Sequence, residues 1–306
     1  MTVCIAALCT WPDNGSLMIV GASDRMLSAP DIKFEPPQSK IYSFGKNVIA
    51  LLAGDPYAQI SICYETSLAL EARKKANKSI DTVEGIATLF GDKFSKYRRD
   101  RAEARFLKPV GLCVQEFLAR HSELDPNFVA QVTSDLKHTS LDAEAIIAGK
   151  DDSGYHIYIV EDPGDVRCAD AIAFASIGSG KNHADSQFML ARHSQHASFH
   201  TALLQVYSAK KRAEIAPTVG LETDYFYIGA EGAKDLNHEL IDSVGRAYEA
   251  LEKKISEARI QADIEVRDYL VRHLNTSQQP KSATDDGGKV PPPAAPRKRK
   301  KRGSAD

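Results

Sequence analysis

The residue with the most chemistry at its disposal is Thr2. Removal of Met1 ahead of a small side chain leaves threonine at the amino terminus, so that a hydroxyl and a free α-amino group belong to one residue. An α-amino group has a reference pKa of about 7.7–8.0 and is therefore able, at neutral pH, to act as general base for the hydroxyl beside it. Three other groupings fit their chemistry less well. Gly178-Ser179-Gly180-Lys181 suggests a phosphate loop, but that pattern needs glycine where Ala175 stands and Ser or Thr where Asn182 stands. His193, His196 and His200 fall at i, i+3 and i+7 with His183 nearby, yet no Cys or acid joins them at ligand spacing, and a solvated helix face is the simpler reading. Five cysteines (Cys4, Cys9, Cys63, Cys113, Cys168) form no C-x-x-C pair and read as reduced, mostly buried thiols; Cys4 as nucleophile would require removal of three residues.

A nucleophile at residue 2 is useful only if strands hold it. The first 55 residues read as two hairpins: apolar runs at 3–8 and 17–22 around Trp11-Pro12-Asp13-Asn14-Gly15, and runs at 40–44 and 48–53 around Gly45-Lys46-Asn47. After Pro56, Val83, Ile86, Phe90, Phe94 and Tyr97 recur at three- and four-residue steps, which predicts helices over 56–76 and 80–122, interrupted by Pro109 and Pro126. Strands return at 145–148, 155–160 and 172–176, helices around 180–196 and 198–213, a strand at 225–228, and a long polar helix from about 235 to 274. The order ββββ, αα, βββ, αα, β, α is neither a βαβα alternation nor an all-β sandwich. An α+β architecture satisfies it: two antiparallel sheets stacked face to face with helix pairs outside, a four-layer αββα sandwich.

The 306 residues are 43% hydrophobic and 26% charged, ample for a large core. A formal charge of −2 argues against a protein that coats nucleic acid. That balance hides an asymmetry, because residues 281–306 hold eight Lys and Arg against three Asp, six of the basic residues forming the run 297–302. Together with Pro291-Pro292-Pro293 this reads as a disordered basic tail over 276–306, through which alone nucleic acid would bind. No stretch approaches the roughly 18 apolar residues of a membrane span, and the start lacks a secretory pattern, so no membrane association and a cytoplasmic address are expected.

With Thr2 in place, the spacing of the next polar residues resembles the proteasome β-subunit-like N-terminal-nucleophile (Ntn) hydrolases, a threonine peptidase family. Asp24 stands in Ala22-Ser23-Asp24-Arg25; Lys40 opens Lys40-Ile41-Tyr42-Ser43-Phe44 sixteen residues on; Gly54 ends an apolar strand fourteen residues later. Ile177-Gly178-Ser179-Gly180 is similar to the family's Gly-Ser-Gly segment. The resemblance covers roughly residues 2–230. It implies the Ntn hydrolase fold over 2–275, with residues 98–142 a helical insertion.

The resemblance also implies a site. Lys40 lowers the pKa of the Thr2 amine, Asp24 orients Lys40, the Gly54 N–H receives the oxyanion, and Ser179 hydrogen-bonds the amine and shuttles its proton. Glu214, where the family has aspartate, and Thr218 complete the set, while Leu27, Gln38 and Leu52 line a mostly apolar first specificity pocket. Asp55-Pro56 beside Gly54 and Ile215-Ala216-Pro217 beside Glu214 depart from the family pattern. The implied activity is threonine-type peptide or amide hydrolysis on a peptide or protein substrate, without metal or organic cofactor, in a homo-oligomeric ring whose ATPase partner, if any, is unidentified. Two readings stay open beside it: a non-catalytic ring or scaffold subunit, and a small-molecule amidase of the same fold. Singly, the residues also have plainer roles: Asp24 a turn acid paired with Arg25, Lys40 a strand-edge charge against aggregation, Gly54 a simple turn.

Overall fold

The computed structural model describes residues 2–29, 32–37 and 39–276. Two five-stranded antiparallel sheets carry the fold. The first has the order β10-β1-β2-β11-β12, formed by Phe174–Ile177, Cys4–Thr10, Leu17–Asp24, Thr223–Gly229 and Gly232–Asp235. The second has the order β5-β6-β7-β8-β9, formed by Ile41–Ser43, Val48–Gly54, Ala143–Lys150, Tyr155–Glu161 and Asp165–Cys168. A short hairpin of β3 (Leu27–Ala29) and β4 (Ile32–Phe34) stands apart.

The alternation of side chains along a strand builds the layers. On β1, Cys4, Ala6 and Leu8 share one core with Ile49, Leu51, Ile146 and Ala148 of the second sheet, so the two sheets face each other. The intervening Ile5, Ala7 and Cys9 pack instead with Phe188, Leu203 and Val206 of helices α5 (Lys181–Leu190) and α6 (Phe199–Ala213). The outer face of the second sheet, through Val48, Ala50 and Ile147, packs on Ile62, Phe90 and Phe94 of helices α1 (Pro56–Lys75) and α2 (Val83–Phe106). The layers therefore run helices, sheet, sheet, helices. The apolar positions predicted for α2 form its buried face, with Tyr97 packed at the margin of the same core.

Local chemistry sets the helix ends. Pro56 occupies the first turn of α1, and the Asp55 carboxylate accepts the N–H groups of Tyr57 (2.9 Å) and Ala58 (3.3 Å). Thr82 caps α2 through the Gly85 N–H at 3.1 Å. Beyond α2 the chain makes a 3₁₀ turn at Lys108–Val110, helix α3 (Val114–Arg120), a second turn at His121–Glu123 and helix α4 (Pro126–His138). This annex has a small core of its own around Leu107, Phe117 and Val132. Pro109 and Pro126 interrupt the helices as expected, both within a first turn.

The sequence reading missed β3, β4, β9 and β12. β9 and β12 are four residues each, mostly polar or small, and edge strands of this kind lack an apolar alternation to read. α5 ends at Leu190, so His193 and His196 lie off any helix and the three-histidine face does not form. The last helix, α7 (His238–Thr276), starts three residues later than expected because the preceding residues end β12. The chain forms two units, Met1–Glu252 and Lys253–Asp306. In the first, Ile241 and Val244 of α7 pack against the α5–α6 core; in the second, residues 253–274 are helical and mostly exposed. The tail expected over 276–306 lies outside the described residues except for Thr276. Among the described residues no helix is long and apolar enough to cross a membrane.

The Asp55 cap gives a test. Burial raises its carboxyl pKa, but an Arg101 contact at 2.7 Å and the two backbone N–H groups outweigh it and hold the pKa below the ordinary value. Because the folded value is the lower one, the stabilisation is complete above the unfolded pKa and is lost as pH falls through the folded one. Asp55→Ala should cost about 1–2 kcal/mol in urea unfolding at pH 7, and the gap to wild type should close below about pH 4.

Candidate functional site

The register of the first sheet gathers the predicted residues at one end. Cys4 pairs with Ser23 on β2 and with Ile177 on β10, so Thr2, Asp24 and the 178–180 turn emerge side by side. Backbone bonds tie them: Asp24 N–H to the Val3 carbonyl at 3.1 Å, and Gly180 N–H to the Thr2 carbonyl at 3.3 Å. β6 of the opposite sheet delivers Gly54, and Cys4 Sγ donates to the Leu52 carbonyl at 3.4 Å across the gap. Lys40 arrives just ahead of β5.

The Lys40 ammonium is the centre of the arrangement. It donates to Thr2 Oγ1 at 2.7 Å and to Asp24 Oδ1 at 3.3 Å, and its third acceptor is the Met26 carbonyl. Thr2 and Asp24 are both buried, at 1% and 0% exposure. Asp24 also accepts the Val3 N–H on Oδ1 (3.1 Å) and the Gly220 N–H on Oδ2 (2.7 Å). Burial is the largest influence on this carboxyl and raises its pKa, while Lys40 and the two N–H donors pull against the rise. Asp24 is thus neither a solvated turn acid nor the partner of Arg25, whose guanidinium binds Asp224 at 3.0 Å.

Gly54 lies beside Thr2 and Lys40, with φ at +105°, where a side chain is strained, and an added Cβ would sit 1.8 Å from the Asp142 carbonyl. Gly178 is equally constrained, at φ +86°, with an added Cβ 2.2 Å from the Thr2 carbonyl. Ser179 Oγ donates to the Thr2 carbonyl at 3.5 Å and shares a 2.7 Å hydrogen bond with Thr218 Oγ1. These two hydroxyls therefore lie beside Thr2, but the hydrogen bond made by Ser179 is to the Thr2 carbonyl and not to the expected amine. Glu214 does not join it: its carboxylate binds the ammonium groups of Lys210 and Lys211, the latter at 3.1 Å. Asp55-Pro56, the departure next to Gly54, is accounted for by the α1 cap.

Leu27 and Leu52 line a cavity of about 30 Å³ that also touches Thr2, Lys40 and Gly54; Gln38 lies outside the described residues. A cavity of that size has room for little more than water. A much larger cleft, about 640 Å³, is also lined by Gly54, together with Gly178, Ser179, Asp142 and Glu144.

Three contributors escaped the sequence reading. Glu144 on β7 accepts the Gly178 N–H at 2.7 Å and so pins the 178–180 turn from the second sheet. Gly220 and the Met26 carbonyl hold Asp24 and Lys40. Backbone donors and acceptors leave no residue-type signature, and a glutamate on a strand carries none either. Among the described residues no group of three or more His, Cys, Asp or Glu is arranged to hold a metal ion. His193 instead bonds Gln205 (2.6 Å) and the Leu8 carbonyl (3.0 Å). Comparison with family models finds none that matches this chain, and comparison with curated proteins finds no matching one.

Two measurements test this geometry. Lys40→Met leaves the Asp24 carboxylate buried and unpaired and should cost about 3–5 kcal/mol, whereas Lys40→Met combined with Asp24→Asn should cost clearly less. Burial pushes the Cys4, Cys9 and Cys63 thiols to about 12. In a thiol titration at pH 8, exposed Cys168 and half-buried Cys113 should label in the native protein and the other three only in denaturant.

Proposed function

We propose that the chain is a threonine-type amide hydrolase of the N-terminal-nucleophile class, with Thr2 of the processed chain as nucleophile and its own amine as base. The observation that carries this reading is the 2.7 Å hydrogen bond from the Lys40 ammonium to Thr2 Oγ1, with Lys40 held in turn by buried Asp24. A hydroxyl oxygen that accepts a hydrogen bond from an ammonium group is stabilised as the alkoxide. Two unit charges about 4 Å apart interact by about 4 kcal/mol at an effective dielectric of 20, enough to shift proton affinities by whole pKa units.

The reaction proceeds from these contacts. The Thr2 amine takes the Oγ proton as Oγ attacks the substrate carbonyl, and Lys40 offsets the charge passing through Oγ. Negative charge then develops on the carbonyl oxygen beside Gly54, whose N–H is the proposed donor; one such donor is typically worth about 3–4 kcal/mol. The amine returns its proton to the leaving nitrogen, an ester to Thr2 remains, and water releases the acyl group. Ser179 Oγ donates to the Thr2 carbonyl and is hydrogen-bonded to Thr218 Oγ1, so this hydroxyl pair stands at the residue whose amine proton it would relay.

The larger cleft supports an extended substrate better than the small apolar pocket does. Its volume of about 640 Å³ admits a peptide segment or a small acyl compound. Peptide or protein substrates, a ring of identical copies and a cytoplasmic address follow from the family resemblance and are proposed on that ground. Intact-mass analysis tests the reading. Wild type should lose Met1 and gain one adduct from a β-lactone or epoxyketone probe; Thr2→Ala should gain none, and Lys40→Ala should react at least about 100-fold more slowly. Retained Met1 would refute the assignment and favour the scaffold reading, and an adduct that persists in Thr2→Ala would refute Thr2 as the nucleophile.

A further inference from the structure

Lys210 is a buried cation that the chemistry above leaves unused. It projects from α6 at 1% exposure and donates to the carbonyls of Gly220 (2.9 Å) and Leu221 (2.8 Å) and to the Glu214 carboxylate. An ammonium buried this deeply costs several kcal/mol unless acceptors surround it. Two of the three acceptors here, the Gly220 and Leu221 carbonyls, belong to the segment on which Asp24 depends.

Gly220 is gripped from both sides. Its N–H donates to Asp24 Oδ2 at 2.7 Å, while Lys210 holds its carbonyl and the next one. Glu35 accepts the Leu221 N–H at 2.5 Å. A Cβ at residue 220 would lie 2.1 Å from Glu35 Oε1 and 2.8 Å from Met26 Cβ, so the backbone is wedged against the residue whose carbonyl receives Lys40. One continuous path therefore runs from Lys210 through Gly220 and Asp24 to Lys40 and Thr2 Oγ1. The charged groups acting on Lys210 are Glu214, Lys211 and Asp24; burial lowers its pKa and Glu214 opposes that.

We propose that Lys210 is a positioning residue of the hydrolytic site: by clamping the Gly220–Leu221 backbone it fixes Asp24, and through Asp24 it seats the Lys40 ammonium on the Thr2 hydroxyl. Glu214 serves as its counter-ion, and Lys210 itself touches no reacting atom. The inference rests on Thr2 being the nucleophile, but its geometric half stands independently.

Two measurements with Lys210→Met test it. In the first, Thr2 acylation by a β-lactone is followed by intact mass over a range of probe concentrations. The maximal rate should fall at least about tenfold while the half-saturating concentration stays within about threefold, since the change acts on chemistry and not on probe binding. In the second, a cycle of Lys210→Met and Lys40→Met is followed by urea unfolding. These side chains do not hydrogen-bond each other, yet their effects on the unfolding constant should depart from a simple product by more than about threefold. An unchanged maximal rate in folded Lys210→Met, or a multiplicative cycle, overturns the proposal. If Lys210→Met does not fold, Glu214→Gln replaces it in both measurements with the same criteria. Failure of wild type to acylate at Thr2 counts against the hydrolase reading alone, and the cycle then decides the role of Lys210.

Discussion

A single ammonium group organises the end of the first sheet. Lys40 has three N–H donors and three acceptors, drawn from Thr2, Asp24 and the Met26 carbonyl, so its hydrogen-bonding capacity is filled. That saturation is what permits Asp24 to be wholly buried. A carboxylate removed from water needs a cation and several donors at once, and Asp24 has Lys40, the Val3 N–H and the Gly220 N–H. Take the ammonium away and Thr2, Asp24 and the Met26 carbonyl lose their common partner, while the buried acid keeps only the Val3 and Gly220 N–H groups.

Delivering Lys40 to Thr2 is a matter of register. β1 is flanked on one side by β2 and on the other by β10, and residues 2, 24 and 178–180 meet because Cys4 aligns with both Ser23 and Ile177. A one-residue slip would exchange Cys4, Ala6 and Leu8 for Val3, Ile5 and Ala7 in the layer between the sheets and turn the Thr2 side chain to the other face. The alanines at 6, 53, 148 and 175 in that layer leave little bulk between the sheets and let Gly54 of one sheet stand beside Thr2 of the other. Packing between the sheets and placement of Thr2 beside Lys40 and Gly54 are thus two results of one alignment.

The parts legible in the sequence were those with an apolar run, a period or a fixed interval. Apolar runs between turn residues placed β1, β2, β6, β7, β8 and β11, the three- and four-residue steps placed α2, and the intervals from Asp24 to Lys40 to Gly54 picked out three residues that do converge near Thr2. The short polar edge strands β9 and β12 were illegible because their stability comes from a neighbour's hydrogen bonds and not from their own pattern. So was everything the backbone contributes: the Met26 carbonyl and Gly220 N–H act through groups that every residue possesses. Glu144 reaches Gly178 from a different sheet, a relation that only the folded chain contains.

Glu214 shows how a plausible residue is claimed by a nearer partner. It sits at the C-terminal end of α6, where the carbonyl dipole disfavours a carboxylate by about 0.3–1 kcal/mol unless cations stand close by. Lys210 and Lys211, four and three residues back, supply them from the same helix face. The longer glutamate side chain suits this i to i+4 reach. Its charge neutralises Lys210, and the hydrogen bonds that Ser179 makes among the described residues go to the Thr2 carbonyl and the Thr218 hydroxyl. With the acid tied to Lys210, its influence on Thr2 has to pass through the Gly220 backbone and Asp24. The charged group in direct contact with the Thr2 hydroxyl is the Lys40 ammonium.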